Sequence, residues 1–127
     1  MKKIIKHLIA LALLGIINPL AAEVKLNSAA DIIGAWRVNA EAAKYDGEKK
    51  ALSVIWEFKP GGILKTASKD KRVGDFEVDL SYSVEDGMIK KQSVPGRQKF
   101  ESCAVIRKDA TSMDIKCMYL YFFLSRI

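Results

Sequence analysis

Two cysteines, Cys103 and Cys117, are the side chains of this 127-residue chain best suited to covalent or metal chemistry. They do not form a Cys-x-x-Cys motif, and they lie on the two predicted strands of one hairpin, whose loop is centred on Ala110 if the two cysteines pair directly. Direct pairing of the two positions is compatible with a disulfide, whereas a slip of one residue turns the sulfurs apart. Three interpretations remain open: a disulfide, two buried free thiols, or a soft-metal site in which Met113 shares a strand face with Cys117.

The first 22 residues have the pattern of a secretory signal peptide. Lys2, Lys3 and Lys6 form a basic start, residues 7–17 are apolar, and small residues precede Glu23. We expect cleavage before Glu23, which leaves a mature domain of residues 23–127 in the periplasm or outside the cell. Retention of this short apolar segment as a membrane anchor is the alternative.

Histidine chemistry is absent from the expected mature domain, because the only histidine of the chain, His7, lies in the signal peptide. The domain therefore has no Ser-His-Asp or Cys-His catalytic group, no histidine base and no histidine metal ligand. We predict a protein that is not an enzyme and that has no catalytic residues, metal site or cofactor. An enzyme that uses carboxylates or tyrosine is a lesser alternative.

The charge of the mature domain is modest. Loss of three lysines lowers Lys+Arg from 21 to 18 against 15 Asp+Glu, so the net charge falls from +6 to +3. The basic residues are interspersed with acids instead of forming one basic stripe. We therefore predict no nucleic-acid partner.

The segments that must position the cysteines alternate between apolar and polar residues, which is the period of a half-buried β-strand. The alternation is clear in residues 52–58 and longest in residues 75–84. Lys59–Gly62 and Glu85–Gly87 have the composition of hairpin turns. Turns spaced by eight to twelve residues predict an all-β sandwich or barrel.

Two segments depart from this alternation. Residues 26–33 predict a short helical turn capped by Asn27 or Ser28. Residues 40–50 combine helix-forming residues with a glycine, and we interpret them as a helical turn or a loop.

Four motifs in order resemble the bacterial exported lipocalin-like families. They are IIGAWRV at residues 32–38, WEFKPGGILK at residues 56–65, GDFEVDLSYSVEDGMI at residues 74–89, and the cysteine-containing hairpin at residues 103–126. The resemblance covers residues 30–127. It implies a small up-and-down antiparallel β-barrel of about eight strands, preceded by a short helical turn. Closure of the sheet removes exposed strand edges.

The resemblance also implies how one end of the barrel is closed. Gly34 and Trp36 form the family's Gly-x-Trp motif, and the tryptophan packs across the closed end. Arg126, near the end of the last strand, is expected to lie over Trp36 in a cation–π contact. A ligand would then enter at the opposite end.

The first functional hypothesis is a non-catalytic protein that binds a small apolar or amphipathic ligand, or a lipid, in the barrel. The residues expected to line the barrel interior are Trp56, Phe58, Phe76, Val78, Leu80, Tyr82, Tyr119 and Tyr121. The second hypothesis is an accessory module with a filled core, which docks a protein partner through the aromatic last strand. Leu120 and Phe122 are the residues expected on the outside of that strand.

Overall fold

Eight antiparallel strands form a closed barrel in which each strand pairs with its neighbours in sequence and the last pairs with the first. This confirms the predicted up-and-down barrel. In this computed structural model the strands are β1 (Gly34–Ala42), β2 (Lys50–Lys59), β3 (Ile63–Asp70), β4 (Gly74–Glu85), β5 (Met88–Gln92), β6 (Phe100–Lys108), β7 (Ser112–Cys117) and β8 (Leu120–Arg126).

The structure describes residues 24–71 and 74–127. The predicted signal peptide, residues 1–22, and its cleavage site before Glu23 lie outside the described residues. Within the part of the chain that is described, no helix is long and apolar enough to cross a membrane.

Alternation along the strands separates an inner face from an outer face. On β2, the side chains of Val54, Trp56 and Phe58 are buried, and the residues between them are partly exposed. On β4, Leu80 and Tyr82 are buried in the same way. The inner faces of all eight strands meet in one apolar cluster, which is the core of the barrel.

The segment before β1 covers one end of the barrel. Val24 pairs with Val105 of β6, and the backbone N–H of Leu26 donates to the carbonyl oxygen of Gly87 at 3.0 Å. A 3₁₀ helix, Ala29–Asp31, follows. Ser28 is its N-cap and forms a capping box with Asp31, as one of the two predicted caps.

Residues 40–50 contain no helix. β1 continues to Ala42, and residues 43–49 form an irregular loop before β2 begins at Lys50. The helix-forming composition of this segment is overridden by the strand pairing of Ala40 and Glu41 with both neighbouring strands.

Trp36 is the centre of the closed end. Its side chain has no exposed surface, and its indole N–H donates to the carbonyl oxygen of Ile32 at 2.9 Å. The guanidinium carbon of Arg126 lies 4.1 Å from the centroid of the Trp36 ring. Arg126 also donates from Nη1 to the carbonyl oxygen of Ile33 at 2.8 Å. The tryptophan is thus held from both sides, by the segment before β1 and by β8.

Cys103 and Cys117 form a disulfide between β6 and β7. They are directly paired in the register of these strands, as are Val105 and Ile115. Of the possibilities that the sequence left open, the structure has direct pairing and a disulfide. The register shifts by one residue between Val105 and Arg107, on the way to the turn. Because both sulfurs are bonded to each other, the structure contains neither two free thiols nor a thiolate for a soft metal.

Removal of the disulfide is expected to destabilise the barrel. The bond joins positions 14 residues apart, and closing a loop of this size stabilises a protein by about 3 kcal/mol. We expect the Cys103→Ala/Cys117→Ala variant to lose about that free energy of unfolding in a urea titration. The wild type unfolded with a reductant should match the variant. Equal stability of oxidised wild type and variant would contradict the assignment.

The contact of Arg126 at the closed end is also expected to prevent any residue with a β-carbon from replacing Gly34 without a loss of stability. Its φ of 125° disfavours any side chain, and a β-carbon added there would lie 2.8 Å from Nη1 of Arg126. We expect Gly34→Ala to destabilise the protein by at least about 2 kcal/mol in thermal or urea unfolding.

Gly61→Ala is the matched control, because Gly61 has a φ of 89° but nothing within 4 Å of an added β-carbon. It carries the backbone strain without the clash and is expected to cost less than Gly34→Ala. If both variants lose the same free energy of unfolding, the contact with Arg126 does not limit the residue at position 34.

Candidate functional site

The two ends of the barrel differ in how they are covered. The end where β1 begins is covered by residues 24–33 and by Trp36. The opposite end, which we call the mouth, carries the connections that follow β1, β3, β5 and β7. The mouth is therefore the end at which a ligand can reach the inner face.

Side-chain packing in the lumen changes from one end to the other. Phe58 and Leu64, toward the closed end, have no exposed surface. Phe76, Val78 and Phe122, toward the mouth, are partly exposed although they belong to the inner face. Phe76 and Phe122 also pack against the core. The lower lumen is filled, and only its upper part can receive another molecule.

A cavity of about 330 Å³ lies at the mouth. It lies between the ends of β1, β2 and β8 and the loop of residues 43–49. Its lining residues are Glu41, Ala42, Ala43, Lys44, Gly47, Glu48, Lys50 and Leu120. A volume of this size is at the lower limit of small-molecule sites.

Two charged residues at this cavity belong to the inner face of the barrel. Glu41 is paired with Lys50 on one side and with Phe122 on the other. Directly paired residues lie on the same face of a sheet, and the Phe122 ring centroid lies 5.7 Å from that of Trp56, inside the barrel. The mouth thus combines charged groups with apolar surface.

A buried ion pair lies beside this apolar surface. Nζ of Lys91 on β5 is 2.6 Å from Oε2 of Glu101 on β6, and the two side chains are 9% and 15% exposed. The same Nζ lies 5.4 Å from the centroid of the Trp56 ring. The pair places one positive and one negative group at the upper lumen.

Comparisons with solved structures find the same architecture in two proteins from Bacteroides. A lipocalin-like protein from Bacteroides uniformis ATCC 8492 is similar with a TM-score of 0.61 and 15% identity, over 76% of this chain and 99% of that one. An uncharacterised protein from Bacteroides eggerthii DSM 20697 is similar with a TM-score of 0.57 and 10% identity, over 75% and 98%. No protein-family model and no curated protein matches the chain.

The fold is a lipocalin-like barrel. At these identities the likeness establishes the architecture alone, so the function of this lipocalin-like barrel has to be argued from its own residues.

Six of the eight predicted interior residues lie on the inner face of the lipocalin-like barrel. Phe76 and Val78 are partly exposed toward the mouth. Trp56 is directly paired with Trp36 and is only 8% exposed, and its ring lies against that of Phe122. The other three pack in the lower lumen: Phe58, Leu80 and Tyr82. Burial raises the pKa of Tyr82, whose hydroxyl donates to the carbonyl oxygen of Lys59 at 2.8 Å. We therefore assign these three residues to the core.

The prediction that Tyr119 and Tyr121 line the interior is wrong. Tyr119 is 81% exposed, and Tyr121 lies on the outer face, where its ring packs against Tyr45. The reason is a two-residue turn at Met118 and Tyr119, which separates β7 from β8 where the sequence shows one continuous apolar run.

The same turn corrects the predicted outer patch. With the turn in place, the inner face of β8 carries Leu120, Phe122 and Leu124. Phe122 was expected outside, but it packs against the core. Leu120 is on the inner face at the rim and is 37% exposed.

Sequence reasoning missed the charged residues of the mouth. Lys91 occupies an inward position, two residues after the buried Ile89, and Glu101 is paired with it in the register. A lysine in phase with inward apolar residues was the available signal, but the alternation of residues 88–94 is too short to fix their faces. Within the described ranges, no group of three or more His, Cys, Asp or Glu residues is arranged to hold a metal ion.

The loop that borders the cavity is held against the outside of the barrel by Tyr45. The hydroxyl of Tyr45 donates to Oδ2 of Asp114 at 2.7 Å, and its ring stacks on Phe123 at 5.8 Å between centroids. Arg107 also donates to Oδ2 of Asp114. Tyr45 is therefore a positioning residue for one wall of the mouth.

Loss of the Tyr45 hydroxyl is expected to have a pH-dependent effect on stability. The hydrogen bond to Asp114 raises the pKa of Tyr45 above its usual 10.0. A raised pKa means that the stabilisation is fully present below pH 10 and is lost as the pH rises through the folded-state pKa. We expect Tyr45→Phe to be about 1 kcal/mol less stable than wild type at neutral pH, because Tyr45 is 37% exposed.

Urea unfolding of wild type and Tyr45→Phe at a series of pH values measures this difference. It should shrink toward zero in strongly alkaline buffer. Tyr119→Phe is the control and should match wild type throughout, since Tyr119 is 81% exposed. A difference that stays constant into alkali would show that the hydrogen bond to Asp114 does not hold the loop.

Proposed function

We propose that this protein is an exported, non-catalytic binding protein that takes a small apolar or amphipathic ligand at the mouth of its barrel. The observation that carries the proposal is the change in packing along the lumen. A fully packed lower half ends below a partly exposed apolar surface, which adjoins a cavity of about 330 Å³. Ligand sites in proteins have this composition, with mainly apolar walls and a few polar groups that fix orientation.

The packing limits the size and depth of the ligand. Trp36, Phe58 and Leu64 have no exposed surface, so the lower lumen offers no volume without repacking. A ligand would lie across the mouth against Trp56 and Phe122 instead of along the barrel axis. We therefore favour compact ligands over long lipids.

Binding without catalysis agrees with the side chains available at the mouth. The described residues contain no histidine. Lys91 and Glu101 are the buried charged groups of the upper lumen, and they are bonded to each other. This arrangement supplies an orienting charge but no nucleophile activated by a base.

Export is part of the proposal. It is supported by the signal-peptide pattern of residues 1–22 and by the disulfide, since disulfides persist in oxidising compartments. We expect the mature protein in the periplasm or outside the cell. Cell fractionation with N-terminal sequencing should find a chain that begins at Glu23, and a cytoplasmic chain with an intact leader would refute this part.

A substitution on the inner face of β8 tests the site. We expect Phe122→Ala to weaken binding of the neutral fluorescent probe N-phenyl-1-naphthylamine by about tenfold, because Phe122 supplies apolar wall beside Trp56. Phe100→Ala is the matched control, since Phe100 lies on the outer face of β6 beside Lys90 and is 39% exposed. Fluorescence titration of the mature proteins, purified after export, measures binding by both variants.

Two outcomes would contradict the proposed site. One is that the wild type does not bind the probe and that native mass spectrometry of the exported protein shows no bound small molecule. The other is that Phe100→Ala weakens probe binding as much as Phe122→Ala does.

A second candidate function is docking to a protein partner, favoured by the exposed turn between β7 and β8. Met118 is 55% exposed and Tyr119 is 81% exposed, so an apolar tip projects beside the mouth. Adjacent exposed apolar side chains mark contact surfaces more often than single exposed apolar side chains do. Capture of a stoichiometric partner that is lost in Met118→Ser/Tyr119→Ser would support this function, and unchanged capture would exclude the tip.

A further inference from the structure

Lys91 is a cation held inside the barrel beside the surface proposed for the ligand. It is paired in the strand register with Tyr82 of β4 and with Glu101 of β6. Its Nζ is 2.6 Å from Oε2 of Glu101 and 5.4 Å from the centroid of the Trp56 ring. The side chains of the pair are 9% and 15% exposed, so both charges are largely removed from water.

Stability does not account for this pair. Taking two charges out of water costs several kcal/mol for each ion, and a buried ion pair often stabilises a fold less than two apolar side chains of similar volume. The neighbouring inward position on β5 is Ile89, which is almost fully buried and apolar. The two charges at the next inward positions therefore point to a role in recognising a ligand.

The ammonium group of Lys91 has an N–H donor that its contacts with the described residues do not use. An ammonium group has three N–H donors and no acceptor. Among the described residues, Glu101 accepts one hydrogen bond, and the face of Trp56 receives a second contact. A third direction remains for an acceptor that arrives with a ligand.

Resting on the proposed ligand-binding function, we propose that Lys91 recognises a carboxylate, and that the ligand is an amphipathic carboxylic acid. Its apolar body would lie against Trp56 and Phe122, and its carboxylate would accept a charge-assisted hydrogen bond from Lys91. A carboxylate in this largely water-free position requires a cation, and Lys91 is the buried lysine of the described lumen.

Glu101 is the internal competitor in this account. It lies one residue after the start of β6, at the mouth, and its side chain is more exposed than that of Lys91. When a ligand carboxylate accepts the hydrogen bond from Lys91 in place of Glu101, the Glu101 side chain can turn toward water. The pair keeps Lys91 charged and satisfied while no ligand is bound.

Isothermal titration calorimetry with decanoate, decan-1-ol and decylammonium separates the contribution of the head group to the affinity from that of the alkyl chain, which all three share. We expect the mature protein, purified after export, to bind decanoate at least about tenfold more tightly than the other two probes. Glu101→Gln should bind decanoate more tightly than wild type, because the competing charge is gone. Lys91→Met/Glu101→Gln should lose the preference and still bind decan-1-ol, which shows that the double variant is folded.

Lys90→Met is the matched control. Lys90 is the adjacent lysine on the outer face of β5, and its Nζ lies 3.8 Å from Glu85 and 5.7 Å from the centroid of the Phe100 ring. It should bind all three probes as wild type does. A loss of decanoate preference in this variant would show that surface charge, and not Lys91, selects the head group.

The outcomes for the proposed function and for this inference are distinct. If the wild type binds decan-1-ol as tightly as decanoate, or if the double variant keeps the preference for decanoate, Lys91 is not the carboxylate residue but the site stands. Tighter binding of decylammonium would overturn the inference in favour of Glu101. If none of the three probes binds the wild type, both the inference and the proposed function fail.

Discussion

Closure of one barrel end around Trp36 is the constraint on which the rest of the structure depends. Arg126 covers one face of the indole and donates to the carbonyl oxygen of Ile33, so the end of β8 is tied to the start of β1. Gly34 leaves the space that the guanidinium occupies. These contacts fix the pairing of the first and last strands, and strand pairing in a closed barrel determines which side chains face inward. Between Val38 and Ala40 the register shifts against both neighbouring strands, and this irregularity brings Glu41 into line with Phe122 at the mouth.

A barrel of this size can fill its lumen or keep part of it open, and this one does both. The apolar side chains near Trp36 are packed without exposed surface, and their burial stabilises the lower half of the barrel. At the mouth, where this packing ends, charged side chains join the inner face: Glu41 and Lys50 at the rim, and Lys91 and Glu101 just below it. Polar groups in this position do not strengthen the core, but they can orient a ligand. The division between a stable lower half and a polar upper half is the basis of the proposed function.

The sequence predicted the strands with clear alternation and the first hairpins, because these depend on local period. The end closed by Trp36 was implied by the resemblance of a distinctive motif, and the pairing of the two cysteines was left open. Prediction from the sequence failed at the turn between β7 and β8. Met118 and Tyr119 lack the glycine, asparagine or proline that signals a turn, and Met118 adopts a φ of 55° that sequence patterns do not anticipate. That one turn reversed the faces assigned to Tyr121 and Phe122. The pairing of Lys91 with Glu101 and of Tyr45 with Asp114 joins distant segments, and only the folded register brings them together.

The indole N–H signals of Trp36 and Trp56 provide the most direct test of a closed end opposite a binding mouth. These are the two tryptophans of the chain, and they are directly paired on β1 and β2. In a ¹⁵N-labelled protein titrated with decanoate, their two NMR signals show whether the ligand's effect stops at Trp56 or extends to Trp36. The Trp36 indole is buried and bonded to the carbonyl oxygen of Ile32, whereas Trp56 lies beside Lys91 and Phe122. The account predicts that the Trp56 signal shifts with saturation while the Trp36 signal stays in place. A saturable shift of Trp36 with Trp56 unchanged would contradict it.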